Sequence, residues 1–218
     1  MSRASKGPKP PSIVEVTLGA VISLVIGATL AAGYLIAQPV ETVRVMPKEP
    51  DPDKVYYQAG SARSSLGGQW LRKKQMLIEG GAVEIQLTED ELNTWMASST
   101  AKPDAEAETG AFVAKNINFR VRDGVMQIGL PCSIKLPGFT KDVIVQAKGD
   151  FKVQGTTHVF VPESVMVGTL AVDKLPVVGD FILDRLRASQ EYPEELTKAW
   201  STLSEVAVED NFLKLARR

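Results

Sequence analysis

The first hydrophobic feature of the chain is an unbroken run, with no periodicity. Val16 to Ala37 are 22 residues without a charge. As a helix they would extend ~33 Å, against a hydrocarbon core of about 30 Å. The run predicts a membrane helix over residues 13–37. Beyond it the pattern becomes periodic. Val83, Ile85 and Leu87 alternate with Glu84 and Gln86, which predicts a strand with one buried face. Thr88 and Glu91 then have the spacing of a capping box, flanked by Leu87 and Leu92 as a hydrophobic staple. Leu92, Trp95 and Met96 follow at helical spacing.

The strongest register signal surrounds Asp123-Gly124, a pair suited to a type I′ hairpin turn. Closing that turn pairs Val121 with Met126, Phe119 with Ile128 and Ile117 with Leu130, all on one face. Val143, Val145, Ala147, Gly149, Phe151 and Val153 alternate over a further long strand, with Gly149 available for a bulge. A turn at Gln154-Gly155 leads into a strand over 156–161. A break at Pro162-Glu163 precedes another over 165–172. Pro176 opens a helix whose apolar face is Val178, Phe181, Ile182 and Leu186. Pro193, Glu194 and Glu195 open a second, with Leu196, Ala199, Trp200 and Leu203 on one side. Asp210-Asn211 closes a last hairpin that pairs Val208 with Leu213 and Val206 with Leu215. Trp95 and Phe119 fall on the apolar stripes of their elements and are expected in one core.

Between membrane helix and strands, Pro39, Pro47, Pro50 and Pro52 stand among charges, which predicts an extended, exposed linker over 38–55. A helix follows from Asp53 to Leu77, weakened by Gly60 and Gly67-Gly68, and Gly80-Gly81 ends it. Its Trp70, Lys73, Lys74 and Leu77 are placed to meet either the core or the lipid surface. Residues 98–111 are small, acidic and aperiodic, as in a surface loop.

Charge sets the expected topology. Residues 1–12 carry Arg3, Lys6 and Lys9 and no acid, and short basic tails stay in the cytoplasm. The organisation expected is a cytoplasmic tail (1–12), a transmembrane signal anchor (13–37), a linker (38–55) and an extracytoplasmic domain (56–218) at the inner or plasma membrane. A cleaved signal peptide is the alternative, given Ala31-Ala32-Gly33, but its apolar core is ordinarily only about 7–15 residues. Gly19, Ser23, Gly27 and Ala31 recur every four residues, a candidate packing face for a homodimer or another envelope protein.

Composition narrows the chemistry. Net charge is −1, without the basic excess that nucleic acid demands. One Cys and one His leave no internal disulfide and no Cys/His zinc site. No cofactor, metal or catalytic group is expected. His158 lies mid-strand with no recognisable nucleophile or acid partner. Cys132 reads as a small buried hydrophobe. Glu89, Asp90 and Glu91 suit the positive end of a helix better than a metal.

These elements predict an α+β fold: a curved antiparallel sheet covered by amphipathic helices, preceded by one transmembrane helix. The order of the segments LTEDELNTWM, VGTLAVDKLPVVGDFILDRL and VAVEDNFLKL resembles the YpmS and LmeA type of membrane-anchored extracytoplasmic proteins. More distantly it is similar to the tubular lipid-binding superfamily. The likeness spans about residues 83–218 and rests on Leu87, Leu92 and Asn93, on Gly168, Leu175 and Pro176, and on the closing hairpin. It implies a groove that holds a lipid chain, and no shared catalytic residues. The sequence places Phe119, Val121, Met126, Ile128, Val143, Val145, Ala147 and Phe151 on one apolar face. They are the expected contacts for membrane lipid or another apolar ligand, in a groove against the helix from Pro176 to Ala188. A structural or assembly role in the envelope is the alternative.

Overall fold

The computed structural model describes residues 12–99, 112–136, 138–174 and 194–218. The apolar run is helix α1 (Ile13–Ala37). Ser12 and Glu15 form a reciprocal cap, each side chain accepting the other's backbone N–H. The helix is long and apolar enough to cross a membrane, and none of its residues is buried. The basic tail that would orient it lies outside the described residues, as does the expected helix over 176–188.

The following segment departs from a free linker. Glu41–Val43 (β1) pairs in parallel with Tyr56–Gln58 (β2). The prolines between them shape a loop closed by local bonds: the Asp51 carboxylate accepts the Asp53 N–H at 3.0 Å, and the Tyr56 hydroxyl accepts the Asp51 N–H at 3.2 Å. The helix expected from Asp53 begins only at Ser64 (α2, Ser64–Glu79). Residues 57–61 are committed elsewhere. The hydroxyl end of the Tyr57 ring lies against Gly129, where any side chain would overlap it. Gly60 donates its N–H to Asn118 Oδ1 at 2.6 Å, and a Cβ on Gly60 would overlap the Phe119 carbonyl. Gly80 and Gly81, both at positive φ, then end α2.

The antiparallel strands form two sheets where the sequence suggested one. The larger holds β4 (Phe112–Ala114) and β5 (Asn118–Arg122) end to end along one edge of β6 (Val125–Leu136), then β7 (Phe139–Gln154), β8 (Thr157–Val167) and β9 (Leu170–Ala171). The smaller has the order β10 (Glu205–Glu209), β11 (Phe212–Arg217), β3 (Val83–Thr88). Periodicity sets which side of a strand is apolar but not which strands pair. The closing hairpin therefore joins β3, 117 residues or more away in sequence, with Leu215 opposite Ile85 and Leu213 opposite Leu87. Asp123 (φ 53°) and Gly124 (φ 73°) make the expected turn, with Val121 facing Met126 and Phe119 facing Ile128. Ile117 lies beyond that ladder and packs beside Leu130, Cys132 and Val145.

Strand β7 is longer than the alternation predicted. Val143, Val145 and Ala147 are buried, Phe151 is half-buried, and Val153 is 67% exposed where the strand outruns the core. At Gly149 the register slips, so that Lys148 faces Ser164 while Gly149 faces Pro162. Glu163 is thus the extra residue of a bulge. The break expected at Pro162 is absent for this reason. Among the described residues the proline sits where β8 has β7 on one side only, because β9 reaches no further than Met166, and such an edge tolerates its missing N–H.

Helix α3 (Glu89–Ser99) begins at the predicted capping box, with the Thr88 N–H on Glu91 Oε2 at 2.9 Å. Helix α4 (Glu194–Ser201) buries Leu196 and Ala199 as its spacing implies. The main core joins Leu77, Leu92 and Ala199 from the helices, and Leu203 just past α4, to Val121 and Met126 of the larger sheet and to Leu213 and Leu215 of the smaller. The end of α1 is bonded to this body. Leu35 O accepts both the N–H (3.2 Å) and the hydroxyl (2.8 Å) of Thr169 in the β8–β9 turn.

Candidate functional site

The inner face of the larger sheet does not close completely onto the rest of the molecule. A cavity of about 470 Å³ remains, within the range of about 300–1,000 Å³ common for small-ligand sites. Six of the eight expected contacts line it: Phe119, Met126, Ile128, Val145, Ala147 and Phe151. From Val145 to Phe151 the lining follows β7 for about 20 Å, at ~3.3 Å per residue. Val121 and Val143 do not line it. Val121, 0% exposed, is locked beside the hairpin turn with its N–H on Glu89 Oε2. Val143 is buried opposite Cys132, toward the β4 end of the sheet.

The other walls come from elements that the sequence did not assign to a ligand site. Helix α2 contributes Trp70 and Leu77, and α3 contributes Leu92 and Trp95. Helix α4 adds Leu196 and Trp200, and the smaller sheet adds Leu87 and Leu213. Trp95 and Phe119 are accordingly half-buried: they pack against the main core on one side and bound the cavity on the other. Amphipathic spacing marks such residues as inward-facing; it carries no information on whether they meet atoms or space. Aromatic rings stiffen both helical walls. Trp70 stacks on Trp95 with centroids 6.1 Å apart, and Lys74 Nζ lies 5.8 Å from the Trp70 ring centre. Phe151 meets both Phe160 and Trp200 at 5.6 Å.

The polar groups nearby are mostly satisfied. Lys73 Nζ lies 2.6 Å from Glu91 Oε1 and donates to Gln86 O at 2.6 Å, so this wall carries a neutralised pair. The neighbouring acids are also occupied. Glu89 accepts the N–H groups of Ser61 and Val121, and Asp90 accepts the Ser61 hydroxyl and the Arg63 N–H. Together they tie residues 61–63 to the start of α3. Among the described residues no group of three His, Cys, Asp or Glu is placed to hold a metal ion.

Two residues of the lining each carry an unsatisfied nitrogen that is shut off from the space itself. Trp95 Nε1 and His158 Nδ1 are buried and have no hydrogen-bond partner. His158 is 8% exposed, and its backbone carbonyl accepts the Trp200 Nε1–H at 2.9 Å. Cys132 lies outside the cavity lining. It is enclosed between strands, and burial pushes its thiol up to about 12. On α1, Gly19, Ser23, Gly27 and Ala31 are exposed, and a side chain added at Gly19 or Gly27 would meet nothing within 4 Å. The expected opposite wall, from Pro176 to Ala188, falls outside the described residues.

No family model, curated protein or solved structure matches the chain.

Proposed function

We propose that the protein is a single-pass membrane-anchored binding protein whose extracytoplasmic domain holds the acyl chain of a lipid. The observation that carries this reading is the cavity of about 470 Å³ bounded almost wholly by apolar side chains. Water in such a space finds few hydrogen-bond partners, and an acyl chain displaces it with a gain of ~0.8 kcal/mol per buried methylene. Curvature of the larger sheet around the chain, with the helices covering its open side, completes the arrangement. No reaction is assigned: the role is non-catalytic, in keeping with the implied likeness to YpmS and LmeA.

The anchor supports the same reading. Thr169 bonds the last turn of α1 to the body of the domain, so the cavity stays close to the membrane that supplies its ligand. The positive charges of residues 1–12 support a domain on the far side of the membrane from the cytoplasm.

The test is native mass spectrometry of the full-length protein, released from membranes in amphipol and followed by lipid extraction. Lipid bound at one per chain, and lost in Ala147→Trp, is expected. Protein that carries no lipid and does not bind added diphenylhexatriene would overturn the reading and favour the assembly role.

A further inference from the structure

The larger sheet has a second recess, on the face turned away from the cavity. The register sets Arg120 of β5, Gln127 of β6 and Lys148 of β7 side by side across three strands. Each follows a cavity-lining residue (Phe119, Met126 and Ala147), so their side chains leave the opposite face. Two strand spacings of about 4.8 Å separate the backbones of the two cations. The β1–β2 segment overhangs this row and is tied to it. Gln127 Nε2 donates to Gln58 O at 3.2 Å, and Gln58 Nε2 donates to Arg44 O at 2.6 Å. Row and overhang bound an open recess of about 430 Å³. Its charge is unbalanced: Asp123 is the one acid in the lining among the described residues, against Arg120 and Lys148. Arg122, two residues along β5, pairs with Glu89, whereas neither Arg120 nor Lys148 has a hydrogen-bond or ion-pair partner among the described residues. Arg120 is half-buried, yet none of its nitrogens is shut off from solvent.

We propose that this recess binds a phosphate group between Arg120 and Lys148. A guanidinium presents parallel N–H donors to two oxygens of an anion, and an ammonium adds a compact point charge. One guanidinium uses up both oxygens of a carboxylate, whereas a phosphate keeps an oxygen for the second cation. The sheet separates this site from the cavity, so it needs no acyl chain and stands whether or not the cavity holds one. It lies near the membrane anchor. Ile144, whose carbonyl accepts the Gly168 N–H beside the end of α1, is four residues from Lys148 along β7, about 13 Å. Val45 and Met46 also line the recess and are 77% and 47% exposed. A lipid headgroup and a soluble phosphate offer the same oxygens to the two cations.

The experiment is isothermal titration calorimetry of the full-length protein in dodecyl maltoside, with inorganic phosphate and glycerophosphoglycerol as probes. Neither probe carries an acyl chain, so the cavity does not enter the measurement. Saturable binding of at least one probe is expected. Arg120→Gln and Lys148→Gln should each weaken it about fivefold to tenfold, as for the loss of a charge-assisted hydrogen bond. Lys152→Gln, on the same face of β7 but outside the recess, should stay within about twofold. Asp123→Asn, which suits the same turn, should tighten binding by removing the one acid. Tighter binding of the phosphodiester assigns a lipid headgroup; equal or tighter binding of inorganic phosphate assigns a soluble phosphate. No saturable binding of either probe, or a loss in Lys152→Gln equal to that in Arg120→Gln, would overturn the proposal. Should Arg120→Gln not fold, the exposed Lys148 decides: weaker binding in Lys148→Gln supports the site, and unchanged binding sinks it.

Discussion

Replacing Ala147 with leucine separates an open cavity from a filled core by the sign of one number. Ala147 sits mid-way along β7, with Ile128 opposite on β6 and Val165 opposite on β8. It packs against Val165 and Val172 while its side chain borders the cavity. Leucine adds three carbons. If they enter unfilled space, burial stabilises the ligand-free protein by up to about 2.4 kcal/mol, at ~0.8 per methylene. Ordering the longer side chain costs about 0.5–1 kcal/mol, which leaves a net gain of roughly 1.5 kcal/mol. If the space is already packed, overfilling costs about 1–3 kcal/mol. The assay is urea unfolding of delipidated protein followed by Trp fluorescence. Delipidation matters because bound ligand stabilises the wild type by mass action and would hide the gain. Diphenylhexatriene binding should fall at least fivefold in the variant. Destabilisation by 1 kcal/mol or more, or undiminished probe binding, would refute the reasoning.

Gly60→Ala should cost more than about 2 kcal/mol, since its Cβ meets the Phe119 carbonyl and not a flexible side chain; near-neutral urea unfolding would show that the 57–61 segment can lift away. Cys132, its thiol raised to about 12 by burial, should resist Ellman's reagent at pH 8 until the protein unfolds; rapid labelling of native protein would contradict the buried setting. Tyr57 should make the fold base-labile. Burial raises its phenol from 10.0 to about 12, so the unfolded chain releases the proton first and stability should decline from about pH 10 to about pH 12. Tyr57→Phe should lose that decline while costing about 1 kcal/mol at neutral pH, where the hydrogen bond to Asn118 is missing; an unchanged alkaline profile would exclude Tyr57 as its source.

What the amino-acid order determines by itself is local. The Asp123-Gly124 turn and the Thr88–Glu91 cap each follow from chemistry within a few residues, whereas the bulge expected at Gly149 falls on the partner strand, at Glu163. Backbone sterics and side-chain reach act at that range whatever the rest of the chain does. The length of α1 likewise follows from composition alone, and the inward side of each strand from its period of two. Tertiary structure decided everything that depends on partners distant in sequence. It joined the last hairpin to β3 as a second sheet, drew β1 onto β2 across a proline-rich loop, and laid Tyr57 against Gly129. It kept Pro162 inside a strand, at a point that β9 does not reach. It also decided the candidate site. Phe119, Val121, Met126 and Val143 all face inward by periodicity, yet Phe119 and Met126 border the cavity while Val121 and Val143 are enclosed. That difference depends on how closely α2, α3 and α4 approach the sheet at each point. Packing distance is a property of the assembled fold, and no pattern along a single strand encodes it.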